Sequence, residues 1–457
     1  MHLIKNKAFF ILVLCTFILL CIVLCVWLNC GGMACAASID IADIPNINIT
    51  LKYHGHCFVY NSNQHIPNIT NFVQERTFQK NNRAGSHAQR ANIIDKMIAS
   101  KLPINDAFCY MFFGWKEYYQ SVKKAVDVLP KDATLKFIPN NYPYFDVKEE
   151  RIGFKLDEEE VLKDILKQLH STDTIEIELN PQKLFPRVYY ADLIKQTSKL
   201  SAFVTSYQSS SVYRKNNIKL ALKNFNGMCV KPHESISFNA TTGPRTLKGG
   251  YKEAHMILDS EYVDAVGGGV CQASTTLYNA LLLAGVQIDE VHAHSLPSSY
   301  VQLGFDAMVN FGTSDLRFTN PYDTPIYIRV DSNEKNVKVE IYGQNYSQNI
   351  TIRQKNEILS ILPPPNDKIV VDDSGEYLNF VQYKDEWFYK KQPKNGYKVN
   401  AYLEYYKNGK LLGRKLIRSV TYKPQQGIKV FGAKNRQSEN DVNDKFLQTL
   451  SNILGKY

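Results

Sequence analysis

Residues 267–285 read GGGVCQASTTLYNALLLAG. Ala273, Leu277, Ala280, Leu281 and Ala284 recur there at helical spacing, and Gly285 supplies a C-terminal stop. The stretch predicts a helix that opens at or near Cys271. At a helix start the unpaired amides and the positive dipole end favour a thiolate over a thiol, and the thiolate is the nucleophile. Gly267, Gly268 and Gly269 lack the Cβ atoms that would crowd a substrate backbone, and they permit unusual φ angles. The amides from Gly269 to Gln272 are expected to hold a developing oxyanion.

Outward from the helix comes VHAHSLPSSYV, residues 291–301. His292 and His294 alternate with apolar residues, which predicts a strand presenting both imidazoles on one face. Asp306, in GFDAMV, is an acceptor able to orient an imidazole. The order Cys, His, Asp after a helix start fits acyl transfer through a cysteine. Other readings of the same residues are a buried, inert Cys271, a zinc site joining Cys271 to the His-x-His pair, and a Cys271–Cys229 disulfide. Three glycines cost entropy that a plain turn does not require, which weighs against the inert cysteine. With no further cysteine or carboxylate pair at ligand spacing, no metal and no cofactor is expected. Tyr251, Tyr278 and Tyr300 read as core or groove packing.

The surrounding chain sets the compartment. Lys5 and Lys7 precede an apolar run from Ala8 to Leu28, long enough to cross a bilayer, which predicts a membrane anchor with the bulk of the chain outside. Ala34-Cys35-Ala36-Ala37 keeps a cleaved signal peptide as the alternative. Of nine cysteines, Cys15, Cys21, Cys25, Cys30 and Cys35 lie in or beside this run; Cys57, Cys109, Cys229 and Cys271 show no CxxC spacing. The net charge of +10 suits an anionic surface or wall polymer, but it is scattered, so nucleic acid is not an expected partner.

The expected fold class is α+β throughout. Residues 1–36 form the anchor, and 37–90 a polar stalk. Residues 91–200 form a small α+β module, with a helix capped by Asp157 and a half-buried strand in TIEIEL. Residues 201–355 form an α+β domain carrying the cysteine. Beyond the stiff Pro363-Pro364-Pro365, a small β domain spans 356–435 with an Asn408-Gly409 hairpin, and 436–457 is a tail with helical apolar spacing.

Taken in order, RKNNIKLALKNFNG, SFNATTGPRTLKGGY, VGGGVCQASTTLYNALLLAG, HAHSLPSSYV and DLRFTNPYDTPIYI resemble the VanW domain family over about Tyr213 to Val330. About Lys123 to Phe203 resembles the peptidoglycan-binding module that often precedes such domains, and Asp367 to Gly432 is more weakly similar to the G-five domain. Some clostridial VanW members are understood as L,D-transpeptidases. The resemblance implies that Cys271 is the nucleophile and that His294 is its base, paired with Ser295. It also implies peptidoglycan stem peptides as the partner, contacted by Gly268, Gly269, Gln272, Arg245, Tyr251, Ser295 and Tyr300. Many members carry Glu-Arg where this chain has Glu290-Val291, so any role of that arginine falls to Arg245 or Arg317. A non-catalytic wall-binding scaffold and a cysteine carboxypeptidase that uses water as acceptor remain the other classes.

Overall fold

The computed structural model describes residues 46–62, 86–258, 261–346, 350–435, 446–451 and 454. The expected anchor lies outside them; among the described residues no helix is long and apolar enough to cross a membrane. The chain divides into two compact units, Met1–Leu129 with Gly153–Leu184, and Pro130–Ile152 with Phe185–Tyr457. Both are built from helices and strands.

In the first unit, β1 (Asn48–Tyr53) and β2 (His56–Asn61) form a hairpin, and β1 also pairs in parallel with a later strand, β6 (Thr174–Glu178). Alternation buries Ile49 and Leu51 on β1 and Ile175 and Ile177 on β6. Three helices, α1 (His87–Ala99), α2 (Ile104–Met111) and α3 (Trp115–Val126), supply Ile94, Phe108, Trp115 and Val122 to the same core. The strands β3 (Thr134–Phe137) and β4 (Phe145–Lys148) group with the second unit, after which β5 (Gly153–Lys155), α4 (Glu158–Leu169), β6 and β7 (Gln182–Leu184) complete the first. The helix α4 is as its sequence predicts. Asp157 accepts from the Glu159 and Glu160 amides, and Val161, Leu162, Ile165, Leu166 and Leu169 are buried.

Two expected boundaries are corrected here. Residues 46–62, placed in the stalk, are structured because Ile47, Ile49, Leu51 and Tyr60 complete the core of the first unit. The module expected over 91–200 is not one block, since 130–152 and 185–200 belong to the second unit.

The second unit continues through α5 (Tyr190–Ile194), β8 (Ser198–Ser206), α6 (Val212–Lys223), β9 (Met228–Val230), β10 (Ser235–Ser237), α7 (Phe238–Thr242), β11 (Glu253–Leu258) and β12 (Glu261–Val266). Next come α8 (Val270–Leu283), β13 (Gln287–Glu290), β14 (Arg317–Thr319), β15 (Ile326–Ser332) and β16 (Asn336–Gly343). A four-stranded sheet, ordered β8-β16-β15-β9, contributes Ile328, Val339 and Ile341 to the core around α8, with Ile218 and Leu222 of α6.

The last strands are β17 (Ile350–Leu362), β18 (Lys368–Asp372), β19 (Trp387–Lys391), β20 (Gly396–Lys407), β21 (Lys410–Tyr422) and β22 (Ile428–Gly432). Asn408 and Gly409, both at positive φ, make the expected hairpin between β20 and β21. The boundary expected between residues 355 and 356 falls inside β17, which pairs with β20 along its length. Ala401 and Leu403 of β20 are buried in the same core as Leu277 and Leu281 of α8. The C-terminal β region is therefore part of the unit that carries the cysteine.

Candidate active site

Gly269, at φ 104, is the N-cap of α8, and no side chain caps that end. Cys271 is thus the second helical residue, half-buried at an amide-rich terminus. A Cβ on Gly267 would lie 2.9 Å from Arg245 Cβ, and one on Gly269 would lie 2.9 Å from Arg214 Cγ. The space these glycines open is filled by two arginines rather than left for a substrate backbone. The expected set of oxyanion donors narrows as well. The Val270 and Gln272 amides donate within the turn, to Gly267 O at 3.1 Å and Gly269 O at 2.9 Å. The Gly269 and Cys271 amides have no partner among the described residues.

The expected strand through both histidines does not form. The β13 ladder, shifted between Ile288 and Glu290, stops at the Glu290–Arg317 pair, and His292 makes a single bridge with Met308. Without regular pleating the two rings part. His292 pairs with Glu290 at 2.9 Å and is half-exposed. His294 is buried, with Nδ1 2.7 Å from Asp306 Oδ2, and its ring sits beside the Cys271 thiol. Cys271 Sγ also lies 3.4 Å from the Val309 carbonyl oxygen.

Asp306 is 1% exposed, yet every acceptor position is used. Oδ2 accepts from the His294 backbone amide and ring, each at 2.7 Å. Oδ1 accepts from the Tyr422 hydroxyl at 2.5 Å and from Arg418 Nη2 at 3.2 Å. Arg418 Nε also donates to Gly304 O at 2.7 Å, and the Tyr422 hydroxyl accepts from Gly304 N at 2.7 Å. The polar run inside α8 holds the same loop. Ser274 Oγ donates to Ala307 O at 2.6 Å, Thr275 Oγ1 accepts from Ala307 N at 2.9 Å, and Asn279 Nδ2 donates to Phe305 O at 2.9 Å. These residues are indifferent helix formers, retained because they tie the Asp306 loop to the cysteine helix.

The charges follow from this geometry. Burial pushes the Asp306 carboxyl up, but His294 and Arg418 hold it below the ordinary carboxylate value. Burial would lower His294, but Tyr300, Asp306 and Cys271 around the ring raise it well above its usual value. Burial pushes the Cys271 thiol up, yet the His294 ring, a backbone hydrogen bond at Val309 and Arg245 bring it below the ordinary thiol value. Both shifts favour a thiolate paired with an imidazolium.

A cavity of about 690 Å³ opens on Cys271, His294, Arg214, Glu253 and Tyr300. Tyr300 and Gly269 line it; Tyr251, Ser295, Arg245 and Gly268 do not. Tyr251 is buried in the core, and Ser295 O accepts from Lys423 N at 2.8 Å. Gly268 O accepts from Asn217 Nδ2 at 3.0 Å. Arg245 donates to Asn239 Oδ1 at 2.6 Å and lies over the Phe238 and Phe311 rings. Arg317 sits opposite Glu290 in the β13–β14 pair. Gln272 touches the cavity wall, but its side chain is spent on Thr205, Ser206 and Arg214. The four described cysteines are free thiols, so the Cys271–Cys229 bridge is absent. Among the described residues no group of three or more His, Cys, Asp and Glu is arranged to hold a metal. Sequence reasoning missed Arg214, Asn217, Arg418 and Tyr422.

Residues 213–342 match the family described as VanW like protein, and residues 115–177 match one described as "Putative peptidoglycan binding domain". The chain is 34% identical over 197 residues to the uncharacterized protein YoaR of Bacillus subtilis, covering 43% of this chain and 65% of YoaR. It is 27% identical over 153 residues to the vancomycin B-type resistance protein VanW of Enterococcus faecalis, covering 32% of this chain and 54% of that protein. The chain thus spans less than two thirds of either relative. Among solved structures, the HP0197 G5 structure matches 18% of this chain and 97% of its own at 22% identity and a TM-score of 0.11. The IgA1 protease G5 domain matches 20% of this chain and 100% of its own at 15% identity and a TM-score of 0.13.

Proposed function

Since this chain is a VanW domain family protein, we propose that it is a cysteine-dependent L,D-transpeptidase of peptidoglycan, anchored in the cell membrane with its bulk in the wall space. The observation that carries the reading is the relay Cys271, His294, Asp306 opening on one cavity. The match of residues 115–177 to a peptidoglycan-binding family supports association with the cell wall.

In this reading the Cys271 thiolate attacks the carbonyl carbon of the third residue of a tetrapeptide stem. The Gly269 and Cys271 amides stabilise the oxyanion. The bond to the terminal D-Ala nitrogen breaks, the His294 imidazolium protonates the departing amine, and a thioester remains. The side-chain amine of a neighbouring stem's third residue then attacks the thioester. His294 takes its proton, the C–S bond breaks, and a 3→3 cross-link and the thiolate result. Asp306 keeps the ring oriented and favours its charged form. Incubating the protein with tetrapeptide muropeptides and reading products by mass tests this. Dimers that lack one D-Ala are expected. Tripeptide alone identifies water as the acceptor and a carboxypeptidase, and unchanged substrate overturns the enzymatic reading.

A further inference from the structure

Among the described residues, Arg214 pairs with no carboxylate. It stands in the first turn of α6, half-buried, with its Cγ against Gly269. Nη1 donates to Ser210 Oγ at 2.9 Å and to Gln272 Oε1 at 2.7 Å. Gln272 is itself fixed, since its Nε2 donates to Thr205 Oγ1 at 3.1 Å and Ser206 O at 2.8 Å. The guanidinium carbon lies 6.0 Å from the Tyr300 ring centroid. Nε and Nη2 make no hydrogen bond or ion pair among the described residues, and Arg214 lines the cavity that holds Cys271.

These two unused donors form one edge of the guanidinium, whose spacing matches both oxygens of a carboxylate. One nitrogen is pinned and the rest of the fork is left open, so little ordering is needed when an anion arrives. A partly desolvated cation gains further when a ligand brings negative charge to its open edge. Among the described residues, Glu253 is the only carboxylate in the cavity lining; it is exposed and makes no ion pair with Arg214.

We propose that Arg214 binds the free C-terminal carboxylate of the donor peptide and thereby selects donors that end one residue beyond the attacked carbonyl. The inference rests on the transpeptidase reading and deepens it. In a tetrapeptide attacked at its third residue, the terminal carboxylate belongs to the leaving amino acid. It therefore sits about one residue length, roughly 3.5 Å, beyond the reacting centre. Arg214 meets Gly269 and Gln272, which stand on either side of Cys271 in sequence, and lines the same cavity. A pentapeptide carries its carboxylate one residue further along.

The test separates binding from chemistry. Calorimetric titration of full-length Cys271→Ala protein with a synthetic tetrapeptide stem, as free acid and as C-terminal amide, should show the acid binding about tenfold to a hundredfold more tightly. Arg214→Gln in that background should erase the difference. Arg214→Lys should restore only part of it, because an ammonium cannot fork. Equal binding of acid and amide, or an acid preference that survives Arg214→Gln, overturns the proposal. The acid–amide comparison needs no substitution at Arg214, so a variant that fails to fold does not blunt it. Acylation of the wild-type chain, read by intact mass, judges the catalytic reading separately. Acid-selective binding without acylation retains the Arg214 site and discards the transpeptidase, whereas binding of neither peptide counts against both.

Discussion

Two helices of this chain begin in opposite ways. α4 opens on Asp157, whose carboxylate caps two amides, and three glutamates follow in its first turn. Its five buried residues all lie on one apolar face. α8 opens on a glycine, with no side-chain cap and no acid in its first turn, and it is buried on nearly every side. The first helix satisfies its own N-terminus and exists to cover a core. The second leaves amides open beside a thiol, and its stability comes from packing and from polar ties to the Asp306 loop. An uncapped, buried helix start marks where a chain has kept its donors for something other than folding.

That contrast can be broken most sharply at Cys271. Cys271→Ala should abolish cross-linking altogether, and iodoacetamide should modify Cys271 faster than Cys109 or Cys229, whose thiols burial pushes up. Because the Cys271 thiol sits below its usual value, alkylation should persist at a lower pH than for an ordinary thiol and fade as pH drops through that lowered value. Alkylation of Cys271 that tracks an ordinary thiol would erase the difference between the two helix starts.

Next in size is the histidine. His294→Ala should lower acylation by about 10²–10⁴, whereas His292→Ala, which removes only the partner of Glu290, should cost far less. A dead His292→Ala enzyme beside a nearly normal His294→Ala one would reassign the base. Smaller still is Tyr422→Phe, which deletes one donor to the buried Asp306 carboxylate and should destabilise the fold by about 1.5–3 kcal/mol. It should also move the pH profile of acylation, a readout that simple loosening of the β region would leave in place. The smallest effect belongs to α4. Asp157→Ala should cost about 1 kcal/mol in thermal or urea unfolding and leave acylation untouched. A catalytic loss there would show that its cap is not merely structural.

Much of this was legible beforehand, for local reasons. The cap and apolar face of α4, the alternation of β6, the Asn408-Gly409 turn and the start of α8 are each written within a few consecutive residues. The pairing of His294 with Asp306 was also readable, because the two lie close along the chain. What sequence could not supply were contacts across long separations. Tyr422 reaches Asp306 over 116 residues, and Arg214 reaches Gln272 over 58. The glycine run was read as room for substrate because a sequence shows which side chains are missing, not which neighbours move into the gap. The histidine strand failed for a related reason, since a strand runs only as far as its partner does, and the β13–β14 ladder stops at Glu290–Arg317.

The donors that hold Asp306 from β21 also have a bearing on time. Synthesis runs from the N-terminus, so Cys271, His294 and Asp306 are all present long before Arg418 and Tyr422 are added. Until that late strand docks, the carboxylate lacks two of its four donors, and the histidine it steers lacks a fixed aim. A chain stopped before β21 carries Cys271, His294 and Asp306 but lacks two of the donors that hold the Asp306 carboxylate.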